Sequence, residues 1–234
     1  MRAYHAAILA GVLLWQIAPL PGPADDSTGR YRISLAGGTG RWEDAQFDCD
    51  GNFVSSQPVP VTSYGARADV MLTPTVRATV SGGAASASEY GATKLHGGFG
   101  AGQIALEGRR VGFGLGLSVN PLLEGGGAHP NFYLRLGNAN AAHFRADVFE
   151  PRETVYLEPL VRVGVGFNTG SVRRIGGFVG LGFGPYYDQA SQTVVTGELS
   201  VPVGNVDLLL RAQGGPGAGL AQWGLGGGLR FSLR

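Results

Sequence analysis

Lysine is almost missing from this chain. Lys94 is the only one against a Lys+Arg total of 18, so nearly all positive charge is arginine. Charge of either sign is scarce as well: 15% of residues are charged and 44% are hydrophobic, where a soluble protein carries about 25% charge. A chain this poor in lysine and glutamate lacks the usual cover of a water-exposed sheet. Cys49 is the single cysteine, which excludes an intramolecular disulfide. From Asp25 onward no run reaches about 18 apolar residues, so no transmembrane helix is expected there. The formal net charge is +1, and Arg2 is the only charged residue in positions 1–24. Without that segment the chain is about neutral, which argues against a nucleic-acid partner. Metal-ligand clusters, phosphate loops and nucleotide motifs are also lacking. GxGxxG-like glycine runs begin at Gly112 and Gly180, but inside strand-like segments with no helix following. No catalytic residue, metal or cofactor is assigned.

What the chain does have is glycine, 41 of them, and a two-residue period. The clearest case runs from Val155 to Tyr186. Val155, Leu157, Val161, Val163, Val165 and Phe167 fall on one parity, and Tyr156, Glu158, Arg162, Gly164 and Gly166 on the other. Asn168-Thr169-Gly170-Ser171 supplies turn chemistry. The pattern then resumes with Ile175, Val179, Leu181 and Phe183 against Arg174, Gly176, Gly180, Gly182 and Gly184. Strands with one apolar face and one polar or glycine face are expected. They exceed the usual strand length of soluble sheets and suffice to cross a bilayer at a tilt, which takes about 9–11 residues.

At the start, Arg2 precedes an apolar stretch from Ala6 to Leu20, and Gly22-Pro23-Ala24 offers small residues for cleavage. Residues 1–24 are expected to be a secretory signal peptide and residues 25–234 a single domain. Further strands are expected at Arg30–Thr39, Val61–Val70, from Val76, at Gly97–Glu107, Val111–Val119, Asn131–Gly137, Ala142–Phe149, Thr193–Val203, from Val206 and at Ala221–Leu233. The total is about twelve, with ten as the alternative. Gly40–Pro60, Gly82–Lys94 and Pro121–Pro130 are expected to be loops. Tight turns near Thr73, Gly108, Asn138, Thr169 and Gly204 would alternate with these long connections. The string Asp48-Cys49-Asp50-Gly51-Asn52 lacks glycine at the sixth position of an EF-hand loop, so an acidic turn is expected there.

Even strand number and alternating short and long connections predict an all-β, antiparallel up-and-down transmembrane barrel. Closure removes sheet edges that lipid cannot satisfy. The apolar parity is nearly free of charge, as a lipid-facing band requires. The other parity holds Arg67, Asp69, Arg77, Arg135, Arg145, Asp147, Glu158, Arg162, Arg174, Glu198, Asp207, Arg211 and Arg230, with Arg32 and Glu107. Those charges would line the lumen, where they must pair or meet water. The inward glycines fit either a narrow water path or a constricted, plugged interior.

The signal segment, the paired long strands and the terminal GGGLRFSLR resemble a bacterial outer-membrane β-barrel. Gly226, Leu229 and Phe231 sit at the spacing of the C-terminal signal of that class, although Arg234 ends the chain where the class has an aromatic. The resemblance implies residence in the outer membrane of a Gram-negative envelope, outer-membrane lipids as surroundings and the barrel-assembly machinery as a biogenesis partner. It implies a structural or narrow-pore function. Three other functions stand beside it: a lipid-modifying enzyme with an unrecognised site, a surface-interaction protein acting through Gly40–Pro60 and Gly82–Lys94, and a secreted soluble β-barrel. The outer-membrane phospholipase class uses a histidine two residues before a serine. Here His143 is followed by Phe144 and Arg145, so that pair is absent.

Overall fold

Alternation becomes a closed wall. The computed structural model describes residues 31–88, 94–119, 127–154, 161–169, 175–184, 192–216 and 221–233. Twelve strands follow in chain order: β1 (Tyr31–Phe47), β2 (Phe53–Thr73), β3 (Val76–Ser88), β4 (Lys94–Glu107), β5 (Val111–Val119), β6 (Ala128–Leu136), β7 (His143–Val148), β8 (Val161–Thr169), β9 (Ile175–Gly184), β10 (Gln192–Val203), β11 (Val206–Pro216) and β12 (Ala221–Leu233). Each pairs antiparallel with its sequence neighbours, and β1 closes on β12 from Tyr31↔Leu233 to Arg41↔Trp223.

The two faces of this wall are inverted relative to a water-soluble barrel. Among the described residues, 29 large hydrophobic side chains are exposed and ten hydrophobic residues are buried. The exposed set is the outward parity of every long strand, such as Ile33 and Leu35 on β1, Leu115 and Leu117 on β5, and Val179 and Leu181 on β9. The buried set is rich in polar groups: Ser34, Thr79, Gln103, Asn131, Arg135, Asp147 and Arg162 all face inward. The polar interior is the core.

Both described ends of the chain lie at one mouth of the barrel, because Tyr31 opposes Leu233. That mouth also carries the tight turns: Pro74-Thr75, Gly108 to Arg110, Gly137 to Ala142, and Gly204-Asn205. Gly204 takes φ +64 there, a left-handed conformation that costs glycine nothing. The turn expected at Asn168 to Ser171 falls mostly outside the described residues.

Three expected loops are corrected. Gly40–Pro60 is not a loop: Gly40 to Phe47 continues β1, Phe53 to Pro60 belongs to β2, and only Asp48 to Asn52 turns. Gly82 to Ser88 extends β3, and Lys94 opens β4. Pro121–Pro130 is shortened at its end because β6 begins at Ala128. Alternating glycine, alanine and serine has no hydrophobic contrast, so Gly82 to Ser88 carries no readable period. The backbone ladder continues all the same, with Gly83↔Gly65 on one side and Gly83↔Phe99 on the other.

The pairing of β1 with β12 stops at Arg41, and that of β2 with β3 stops at Val61. Residues 42–47 and 53–59 therefore pair only with one another, as a ribbon beyond the rim opposite the termini. At its tip the Asp48 carboxylate accepts the backbone N–H of Asp50 at 2.9 Å and of Asn52 at 2.8 Å, and the Asn52 side-chain amide at 3.1 Å. These N–H groups, Asn52 foremost, hold the Asp48 carboxyl below its ordinary range. Both carboxylate oxygens are used within the turn, as in an Asx-turn. No cluster of metal-ligating side chains occurs among the described residues.

Candidate functional site

The lumen is closed by the chain itself. β7 has only six residues, and at Phe149 the backbone adopts φ +48. For a bulky residue that is an outlier costing about 1–3 kcal/mol. Two contacts hold it. The Ser118 hydroxyl donates to the Phe149 carbonyl at 2.7 Å, and the Phe149 ring stacks on His129 with centroids 5.1 Å apart. The kink sends Glu150, Pro151, Arg152, Glu153 and Thr154 into the barrel, where all five are buried. The strand read from Val155 is described from Val161 onward, as β8, and residues 155–160, with Glu158, lie outside the described residues.

This inward segment is fastened by charge. Arg162, fully buried on β8, donates to both oxygens of Asp147 at 3.0 Å each, and also reaches Glu198 and Glu150. Arg152 of the segment donates to Glu198 at 2.8 Å and to Asp147 at 3.0 Å. Arg145 bonds Glu150. Arg67 forks onto Asp69, with Nη2 to Oδ1 at 2.9 Å, and gives Nη1 to the Pro151 carbonyl at 2.8 Å. Glu153, with no exposed surface, accepts from the Ser34 hydroxyl and from Arg211 at 2.7 Å, and Arg211 also reaches Thr154. The rings of Phe178 and Tyr133 take up guanidinium faces: Arg162 lies 4.8 Å from the Phe178 centroid and Arg145 5.5 Å from that of Tyr133. Buried ions are tolerated because nearly every charge has several partners of opposite sign.

A second cluster lies closer to the mouth that holds the termini. Glu107 stands between Arg77 at 2.9 Å and Arg135 at 3.3 Å. Arg135 also donates to the Gly108 and Gly137 carbonyls, tying two tight turns to the wall. A neutral cluster joins them on the β4–β6 side, where Gln103 donates to Asn131 at 3.0 Å, and Asn131 to Ser118 at 3.0 Å.

The structure thus brings Arg67, Asp69, Arg145, Asp147, Arg162, Glu198 and Arg211 together around the inward segment, and Arg77 and Arg135 around Glu107. Asp207 and Arg230 face each other across β11 and β12. Arg174 lies outside the described residues, as Glu158 does. Sequence reasoning did not single out Glu150, Arg152, Glu153, Tyr133 or Phe178 as lumen residues. The available signal was three charges in the four residues Glu150 to Glu153, in a chain otherwise poor in charge.

Between a narrow water path and a plugged interior, the glycines fit the second. A Cβ on Gly65 would lie 2.5 Å from the Glu153 carbonyl oxygen and 2.5 Å from that of Gly82. Gly65 is the gap that admits the segment's backbone. What remains between Thr154, Glu198, Arg211, Gln213 and Gly226 has room for about one water molecule. Gly65→Ala is therefore expected to lower unfolding stability by about 1–3 kcal/mol, because overpacking outweighs the 0.5–1 kcal/mol gained by removing a strand glycine. Gly227→Ala is the contrast: its Cβ would meet nothing closer than the Leu209 carbonyl oxygen at 3.6 Å, so neutrality or slight gain is expected. Urea unfolding of both variants measures the difference.

His143 contacts the Ala141 carbonyl at 3.0 Å, and His129 serves the Phe149 stack. Among the described residues neither ring is hydrogen-bonded to a serine or threonine hydroxyl. The chain matches no protein-family model, and no curated protein is significantly similar to it.

Proposed function

We propose that this chain is exported by a cleaved signal peptide and inserts into the bacterial outer membrane as a structural barrel whose lumen is closed by residues 150–154. One observation carries the membrane assignment: the outward face is an almost uninterrupted hydrophobic belt, with Leu117 at 60%, Val179 at 57% and Leu225 at 57% exposure. Soluble monomers rarely expose contiguous apolar patches beyond a few hundred Å². The belt also has a fitting height. Nine-residue strands such as β5 and β8, at about 3.3 Å per residue and a tilt near 40°, span about 23 Å, against an apolar band of about 25 Å. Outer-membrane lipids would wet this face, and the barrel-assembly machinery would insert the chain.

Under this proposal the termini and tight turns face the periplasm, and the β1–β2 ribbon stands on the cell surface. Cys49, exposed at the ribbon tip, is a natural probe. A membrane-impermeant maleimide is expected to label Cys49 in intact cells. In a Cys49→Ser background, Asn205→Cys on a tight turn is expected to react only after the outer membrane is permeabilised. Recovery of the protein in the soluble fraction, or labelling of both sites without permeabilisation, would overturn the proposal.

The observation favouring a closed barrel over a narrow pore is the inward segment itself. Any passage would have to displace five buried residues held by multiply paired charges.

A further inference from the structure

The charges at the termini-side mouth do not balance as those around the inward segment do. Asp69 is taken by Arg67, Glu107 by Arg77 and Arg135, and Glu153 by Arg211. Arg32 and Arg230 remain. Arg32 opposes Ser232, and Arg230 opposes Ser34, on the adjacent strands β1 and β12. They are diagonal neighbours on one inner face, with Cα atoms about 7–8 Å apart. Among the described residues neither makes an ion pair or a side-chain hydrogen bond, and the Nε of Arg230 is buried with no partner there. Among the described residues, the charges acting most strongly on Arg230 are Arg67 and Arg32, then Glu153 and Asp69, with Asp207 opposite it across the β11–β12 pair; those acting most strongly on Arg32 are Asp69, Arg77, Asp207 and Arg67. Among the described residues, Asp207, opposite Arg230, is the nearby carboxylate without an ion pair of its own, so of these two arginines one positive charge is left over. Both residues are half-buried, on the inner face next to the mouth that holds the termini.

A half-buried guanidinium without an acceptor is costly, and two side by side repel. An oxyanion between them removes both penalties, since each planar fork offers paired N–H donors to paired oxygens. We propose that this mouth is a binding site for a phosphate-type oxyanion, held by Arg32 and Arg230 with the Ser232 hydroxyl at its edge. Free phosphate and the phosphodiester of a lipid headgroup share the required chemistry. The site needs only the barrel, so it stands whichever compartment the barrel occupies.

The test titrates inorganic phosphate into the full-length folded protein in detergent by calorimetry, with a parallel arm using a short-chain phosphatidylglycerol below its micellar concentration. Saturable binding in the millimolar range or tighter is expected. Arg32→Gln with Arg230→Gln is expected to weaken it at least tenfold, and Arg109→Gln on an exposed turn to leave it unchanged. Competition between phosphate and the short-chain lipid assigns the site to a headgroup, and phosphate binding without lipid binding to a solute. Heat-modifiable gel migration checks folding. If the double variant does not fold, Arg230→Lys keeps the charge, removes the fork and is expected to weaken binding severalfold. Absence of saturable phosphate binding to the parent protein up to about 10 mM, or unchanged affinity in a folded double variant or in Arg230→Lys, would overturn the site.

Discussion

Replacing Glu150 to Thr154 with a five-residue glycine-serine linker is expected to turn a silent barrel into a conducting one. In planar bilayers the parent protein should give no discrete current steps, and the variant should give steps of reproducible size. The replacement withdraws Glu150, Pro151, Arg152, Glu153 and Thr154 from the lumen, all of them buried. The wall behind them is rich in small residues: Gly65 and Gly83 on β2 and β3, Gly164 on β8, Gly180 and Gly182 on β9, and Gly224 and Gly226 on β12. Twelve strands fall between the eight whose interior is just filled by side chains and the sixteen or so that leave an aqueous channel. At this size the outcome depends on what occupies the lumen. Here the occupant is backbone from one connection, and the wall glycines cannot replace its volume. The remaining Arg67, Asp147, Arg162, Glu198 and Arg211 would rehydrate. A variant that shifts on heating in gels like the parent yet stays silent would sink this prediction, since the wall side chains alone would then close the barrel. Steps from the parent itself would sink it equally.

The wall was legible in the sequence because its outward face is greasy and its inward face is not. Residues 111–119 alternate without exception, and the burial of Gly112, Gly114 and Ser118 against exposed Phe113, Leu115 and Leu117 follows that alternation residue by residue. The chain was illegible where side chains lack contrast. Gly82 to Ser88 contains only glycine, alanine and serine, so its strand is set by neighbours and not by its own pattern. The ribbon from Trp42 to Phe47 mixes polar and apolar residues on both parities, because it runs past the belt and has no apolar face to declare. The lumen was half legible. Parity placed Asp147, Arg162 and Glu198 on the polar face, but said nothing about what neutralises them. Their partner Arg152 arrives through a left-handed Phe149, a conformation that no propensity assigns to phenylalanine. It exists because Ser118 and His129, distant in sequence, hold it. Phe178 was masked for a related reason. It sits at an inward position between glycines, and the guanidiniums of Arg162 at 4.8 Å and Arg145 at 5.7 Å from its ring centroid explain an aromatic there.

Arg162→Met tests whether the fastened lumen also stabilises the barrel. Arg162 has no exposed surface and joins Asp147, Glu150 and Glu198, two carboxylates on the wall and one on the inward segment. Methionine keeps much of the volume and removes every donor. Arg145 and Arg152 remain near the same carboxylates, but they do not replace the two-oxygen grip on Asp147. Breaking a buried ion pair by deleting one partner costs about 3–5 kcal/mol, because the other charge is left uncompensated. The equivalent change at exposed Arg109 should stay within about 0.5 kcal/mol. Urea unfolding from lipid vesicles reads both. If repulsion among stranded carboxylates is the cause, Asp147→Asn with Glu198→Gln in the Arg162→Met background should recover more than half of the loss, a coupling expected of residues in one network. A loss at Arg162 no larger than that at Arg109 would mean that water reaches these charges freely. An interior that wet is incompatible with closure by residues 150–154, so one measurement on a single arginine bears on the packing of the lumen and on the silence of the barrel together.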